Sequence, residues 1–234
     1  SIQKINLSNR ERSYIFLQDS SLPSDIIITG YFAYVTCSGI NKVAKIDLNS
    51  DTVLDYVDVG ITPEGIAQND GYLFVANTGF NMSDYSYAPG TVSVIDKESF
   101  TVTETLPTAL NPRSVLVTDN QLHVICTGNY SSECGKVSVY NLDNYQLITT
   151  VITGGNPYTG ASSGDMIFLG NAYPAGIYAY DKSTFDIEVT PEDNLLLGGN
   201  ALSVYEDYLI IGDAGDYLSN SHIRVYNLDN YSLV

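Results

Sequence analysis

The chain has 234 residues, 44% of them hydrophobic, with 19 tyrosines, 19 glycines and no tryptophan. Its 27 acidic residues against 10 basic ones give a formal net charge of −17; that charge repels phosphate backbones and anionic lipid, so nucleic acid is excluded as a partner. There is no 18-residue apolar run to form a transmembrane segment and no sustained 3.6-residue apolar period, which leaves an all-β chain of strand and turn formers.

Residues 1–18 carry two β-type runs, SIQKIN and RSYIFL. From Ser24 a fuller unit begins: SDIIIT, FAYVTC, KVAKID and DTVLDYVDV, separated by the turn stretches GY, SGIN and LNS. The same four-run unit follows at 64–106, 113–151 and 158–190, and a last one runs from about Ala201 to Val234, ending as its fourth run begins. The third runs make the ruler: KVAKID (42–47), TVSVID (91–96), KVSVYN (136–141), GIYAYD (176–181) and HIRVYN (222–227), after an earlier KINLSN (4–9). Their closing acid or amide falls at Asn6, Asp47, Asp96, Asn141, Asp181 and Asn227, in steps of 41, 49, 45, 40 and 46. Two copies are nearly letter-identical, VYNLDNYQL (139–147) and VYNLDNYSL (225–233).

A repeat of this length made of short alternating strands is the signature of a β-propeller blade. Val92 and Val94 fall on one face of their run, Ser93 and Ile95 on the other, so the strand is covered on both sides. The first runs favour small residues (Gly65, Ala67, Ser114, Gly160, Ala201, Ser203), as strands that converge on an axis require. The expectation is a β-propeller of four-stranded antiparallel blades: about five full blades plus a half blade, residues 1–234 forming a single domain. Because the chain begins and ends inside repeats, we read it as part of a seven-bladed ring.

The stretch AYVTCSGINKVAKID, continuing to GYLFVANTG, then TVSVIDKESFTVTETL, resembles the YVTN repeat family. Tyr34-Val35-Thr36-Cys37 and Phe74-Val75-Ala76-Asn77 occupy its namesake stretch, and the blade-opening pattern Pro-x-Gly-[IV]-Ala is matched by PEGIA (63–67) and degraded to PRSVL (112–116). The resemblance covers nearly the whole chain; Cys37 departs from the family's Asn, and the 158–190 unit is the most divergent. It implies a secreted, periplasmic or cell-surface location, as in surface-layer-like bacterial and archaeal propellers. Cys126 and Cys134 flank a turning stretch, TGNYSSE, and form either a disulfide in an oxidising compartment or two separate thiols.

In a meander of this kind the connections fall on two rims. Those joining first to second and third to fourth strands are tight. Nearly all length variation lies in the second-to-third connections, 78–90, 127–135, 172–175 and 214–221. Variable loops on a rigid scaffold are where binding residues reside. That rim offers Asn81, Asp84, Tyr85, Tyr87, Asn129, Tyr130, Tyr173, Asp216 and Tyr217, a mixture of tyrosine area and amide or carboxylate hydrogen bonding suited to carbohydrate, peptide or protein. Residues following the blade-opening position, Ser24, Glu64, Arg113, Tyr158 and Ala201, are expected near the mouth of a central channel; the Arg113 guanidinium there either holds a carboxylate ligand or pairs with Glu64.

Catalytic signatures are absent: His123 and His222 have no partner at triad or metal spacing, and there is no Gly-x-Ser-x-Gly, HExxH or phosphate loop. The reading is therefore a non-catalytic extracytoplasmic binding module without a cofactor, acting through the long-loop rim on an extracellular protein, peptide or glycan. The competing reading is a lactonase-like, metal-dependent hydrolase with Glu64, Asn77, Asn171 and Asp213 converging on the channel.

Overall fold

A computed structural model describes residues 1–172, 175–215 and 220–234. The chain forms two compact units, Ser1–Thr108 and Ala109–Val234. The first holds β1 (Ile2–Ile5) paired with β2 (Arg12–Ile15), then the four-stranded sheet β3 (Pro23–Thr29), β4 (Phe32–Cys37), β5 (Lys42–Asp47) and β6 (Thr52–Asp58). A second four-stranded sheet follows, made of β7 (Pro63–Gln68), β8 (Tyr72–Asn77), β9 (Thr91–Asp96) and β10 (Thr101–Pro107).

The second unit holds the sheet β11 (Pro112–Thr118), β12 (Gln121–Cys126), β13 (Lys136–Asn141) and β14 (Leu147–Ile152). Next comes β15 (Pro157–Ser163), β16 (Met166–Ala172), β17 (Ala175–Asp181) and β18 (Ile187–Val189). It ends with a three-stranded sheet, β19 (Ala201–Tyr205), β20 (Tyr208–Asp213) and β21 (His222–Asn227), with an isolated bridge between Tyr226 and Leu233.

In every sheet the strands lie in chain order and antiparallel, the meander of a β-propeller blade. Within each unit the first strands of consecutive sheets are neighbours: β3 beside β7, and β11 beside β15 beside β19. This explains their small residues, since a Cβ on Gly160 would come within 2.4 Å of the Ile125 side chain.

The second and third strands of the four-stranded sheets are buried on both faces. On β16, Ile167 and Leu169 join Ile125, Val137 and Val139 of the preceding sheet, while Phe168 turns the other way to meet Leu209, Ile211 and Tyr226 of the following one. In the first unit, Tyr34 and Val43 pack against Leu73, Val75 and Ile95 in the same way. Period-two alternation between two apolar faces is therefore how each strand fills two cores at once.

The acid or amide closing each third strand caps the turn that follows it. Asn6, Asp47, Asp96, Asn141, Asp181 and Asn227 each accept a hydrogen bond from a backbone N–H two or three residues on, at 2.7–2.9 Å. Four residues after each cap the chain turns left-handed, at Arg10, Asp51, Phe100, Tyr145, Phe185 and Tyr231. Such a conformation costs a side chain about 1–2 kcal/mol. At Phe100, Phe185 and Tyr231 the ring is packed against the blade core, which offsets that cost.

His123, on β12, is fully buried. Its Nδ1 lies 2.7 Å from the Tyr180 hydroxyl on β17 and its Nε2 lies 3.2 Å from Thr118 Oγ1, so the imidazole ties two neighbouring sheets together. Burial, assisted by the Lys182 charge, pushes its pKa from 6.5 to about 4. The unfolded chain therefore takes up a proton that the folded chain resists. The resulting stability, about 3 kcal/mol, is complete above pH 6.5 and is lost as pH falls towards 4. Chemical denaturation between pH 7 and 4 is expected to show this loss, and His123→Gln, although less stable at pH 7, is expected to flatten the slope.

Candidate functional site

The connection 78–90 is the longest between second and third strands of the first unit, and it is folded on itself. Phe80 bridges Tyr87, and the backbone N–H groups of Asn81, Tyr85 and Ala88 donate to Ser86, Asn81 and Gly79. The Asn81 side chain accepts from the Ser83 N–H (2.9 Å), and Asp84 accepts from both the N–H and the hydroxyl of Ser86 (3.0 and 2.6 Å). Those two bonds, the hydroxyl first, hold the Asp84 carboxyl below its ordinary pKa. Phe80 lies 6.0 Å from Tyr85 and 5.2 Å from Tyr87, ring to ring. Tyr85 remains 77% exposed, and Tyr87 is half-buried.

The root of this loop is tied down by Thr62, whose hydroxyl donates to the Phe80 carbonyl at 2.7 Å. Beside it the corresponding connection of the preceding blade, 38–41, is short. The mismatch opens a cleft of about 510 Å³ between the two loops and the segment that joins the blades. Ser38, Asn41, Thr62, Asn81 and Ser83 supply hydroxyls and amides, while Ile61 and Met82, each 46% exposed, supply apolar contact. Among the described residues no charged side chain lines it. Such a surface matches peptide or hydroxyl groups and an apolar side chain without having to desolvate a charge.

Sequence reasoning found Asn81 but missed Ser38, Asn41, Ile61 and Met82. The signal lay in the unequal lengths of adjacent loops rather than in any residue. It also assigned Asn81 and Asp84 to ligand hydrogen bonding, and both side chains are engaged in ordering their own loop.

Four of the five residues expected at a channel mouth occupy a repeated backbone feature, whereas Ala201 pairs in regular register with Gly212. Just after the proline that opens β3, β7, β11 and β15 the pairing register slips, placing Ser24, Glu64, Arg113 and Tyr158 in a β-bulge. Bulges re-aim side chains and recur beside binding sites. In the first unit, Thr36 accepts from the Asp25 N–H and donates to the Glu64 carbonyl at 2.6 Å, tying one bulge to the next.

In the second unit, Tyr158 is half-buried and its hydroxyl donates to the Asn200 carbonyl at 2.8 Å. Desolvation raises its pKa, the Asn200 bond opposes this, and Tyr130 and Arg113 are near enough to act in opposite directions. Asn129 spends its side chain on the N–H groups of Ser131 and Glu133 within its own turn. Tyr173, Asp216 and Tyr217 lie outside the described residues.

Three of the four residues of the hydrolase reading, Asn77, Asn171 and Asp213, have side chains bonded within the fold, and Glu64 is held there through its backbone carbonyl. Buried Asn77 donates to Thr91 and Ser93 at 3.1 and 3.0 Å, and buried Asn171 accepts from the Asn156 N–H at 2.7 Å. Asp213 is paired with Arg224 at 2.6 Å, which lowers its pKa. The Glu64 carbonyl takes the Thr36 hydroxyl. Among the described residues no group of three or more His, Cys, Asp or Glu is placed to hold a metal ion. No disulfide joins buried Cys126 to exposed Cys134, and no helix among the described residues is long and apolar enough to cross a membrane.

The chain matches no protein-family model and no curated protein sequence. Solved structures resemble it clearly. A chain of the mitotic checkpoint complex superposes with a TM-score of 0.76 at 12% identity, over 99% of this chain and 71% of that one. Hydrazine synthase of Kuenenia stuttgartiensis gives 0.70 at 16% identity, over 90% of this chain and 64% of its own, so the chain spans less than two thirds of that relative. A chain of the nidogen/laminin complex gives 0.59 at 17%, over 81% and 70%. At these identities the likeness concerns fold. The fold is a β-propeller.

The two asparagines of the first unit separate structure from site. Asn77→Ala removes a buried donor and leaves Thr91 and Ser93 facing a void; it is expected to lower the unfolding free energy by about 1–3 kcal/mol. Asn81→Ala is expected to leave global stability within about 0.5 kcal/mol while reducing amide-exchange protection at Ser83 and Tyr85.

Proposed function

We propose that this chain is a non-catalytic binding module that seats a peptide segment of a partner protein in the neutral cleft beside the loop 78–90. The observation that carries the reading is the cleft itself: about 510 Å³, uncharged, with apolar Ile61 and Met82 among hydroxyls and amides. Its taller wall is already ordered by its own hydrogen bonds, so a ligand does not have to freeze it on arrival. The occurrence of this fold in the mitotic checkpoint and nidogen/laminin complexes supports a protein contact by analogy.

We also read the chain as a YVTN-type propeller. Its support is the quoted motif residues, of which Thr36 is seen binding blade to blade. The extracytoplasmic location rests on that resemblance.

Peptide and glycan arrays probed with the intact chain test the proposal. Peptide ligands are expected, weakened about tenfold or more by Met82→Ala and also reduced by the double variant Tyr85→Ala, Tyr87→Ala. Peptide hits indifferent to all three substitutions, or glycan hits in their place, overturn it. A stoichiometric divalent ion retained through exhaustive dialysis would turn the reading towards the hydrolase.

A further inference from the structure

The opposite end of the same unit, made of the tight turns, holds a second cleft of about 550 Å³. It lies between the β3–β4 turn at Gly30 and Tyr31, the β7–β8 turn at Asp70 and Gly71, and the β9–β10 turn at 96–98. We propose that this cleft is a binding site for a neutral carbohydrate.

At its floor the Lys45 ammonium sits over three rings, 5.0 Å from the centre of Phe32, 5.4 Å from Phe100 and 5.9 Å from Tyr34. Among the described residues its one hydrogen bond, to the Lys97 carbonyl, is long at 3.5 Å. An ammonium has three donors, so Lys45 presents donors to whatever oxygen enters. Asp70 and Glu98 line the walls and have no ion pair at salt-bridge distance among the described residues, offering acceptors. Two aromatic rings complete the lining although they lie open to water, Tyr31 at 70% and Phe32 at 37% exposure.

Charge selects the ligand class. A cation entering the cleft would meet the ammonium that already occupies the rings and a second one on the wall, Lys97, which donates to the Asn69 carbonyl at 2.6 Å. An anion would meet Asp70, Asp96 and Glu98. A purely apolar ligand would bury the lysine and the carboxylates without partners. A sugar ring avoids all three penalties. Its C–H face stacks on Tyr31, and its hydroxyls both accept from Lys45 and donate to Asp70 and Glu98. The site is independent of the neutral cleft at the other end of the unit, and its ligand is of a different class.

The intact chain is to be titrated with cellotriose, maltotriose, xylotriose and chitotriose and screened on an array of neutral glycans, with hexalysine and polygalacturonate as charged controls. Saturation-transfer NMR is expected to detect at least one neutral glycan. Tyr31→Ala is expected to weaken that binding at least tenfold, Glu98→Gln severalfold, and Met82→Ala not at all. Tyr31 is exposed and Glu98→Gln preserves shape, so neither variant is expected to unfold; a matching melting curve checks this. Silence across all neutral glycans overturns the proposal, as does binding of only the charged controls. Neutral-glycan binding that survives Tyr31→Ala, or that is lost in Met82→Ala, overturns it too.

Discussion

Within each unit the blade cores are shared between neighbouring sheets. A middle strand such as β16 sends alternate side chains into two different cores, so neither sheet face is complete until a neighbour covers it. That constraint forbids polar residues in the middle strands unless they bring their own partner, as His123 does with Tyr180 and Thr118. It also fixes where the strands start and stop, because a slip of one residue would exchange the two faces. Variation is left to the strand ends.

The two ends accommodate that freedom differently. At one, the hairpins are closed by a repeated carboxylate or amide cap followed by a left-handed residue, and their length scarcely varies. At the other, loops of unequal length stand side by side. A short loop next to a tall one leaves a step in the surface, and in the first unit that step is the neutral cleft.

Much of this was legible in the residues. The third strands begin and end within a residue of where alternation and the closing Asp or Asn put them, because those signals are local hydrogen-bonding chemistry. The small residues of the first strands were legible for a steric reason, as Gly160 against Ile125 shows. The clefts were not. The neutral cleft is a difference between two loops 40 residues apart, and neither Ser38 nor Ile61 carries any mark of it. The ring cage around Lys45 draws Phe100 from another sheet, which no spacing within one blade reveals. The tight turns, with little length variation, offered no candidate residues, yet Tyr31 and Phe32 stand exposed there.

The self-sufficiency of the loop 78–90 has an evolutionary implication. Its bonds run mostly inward, between Asn81, Asp84, Ser86 and the Phe80–Tyr87 bridge, and it meets the scaffold chiefly through Thr62 and the neighbouring backbone. A segment wired that way behaves as a cassette: its tip can be rewritten, or the whole insert grafted onto another blade, without disturbing the frame beneath. Diversification of recognition in such a lineage would then proceed by exchange of rim inserts, one blade at a time.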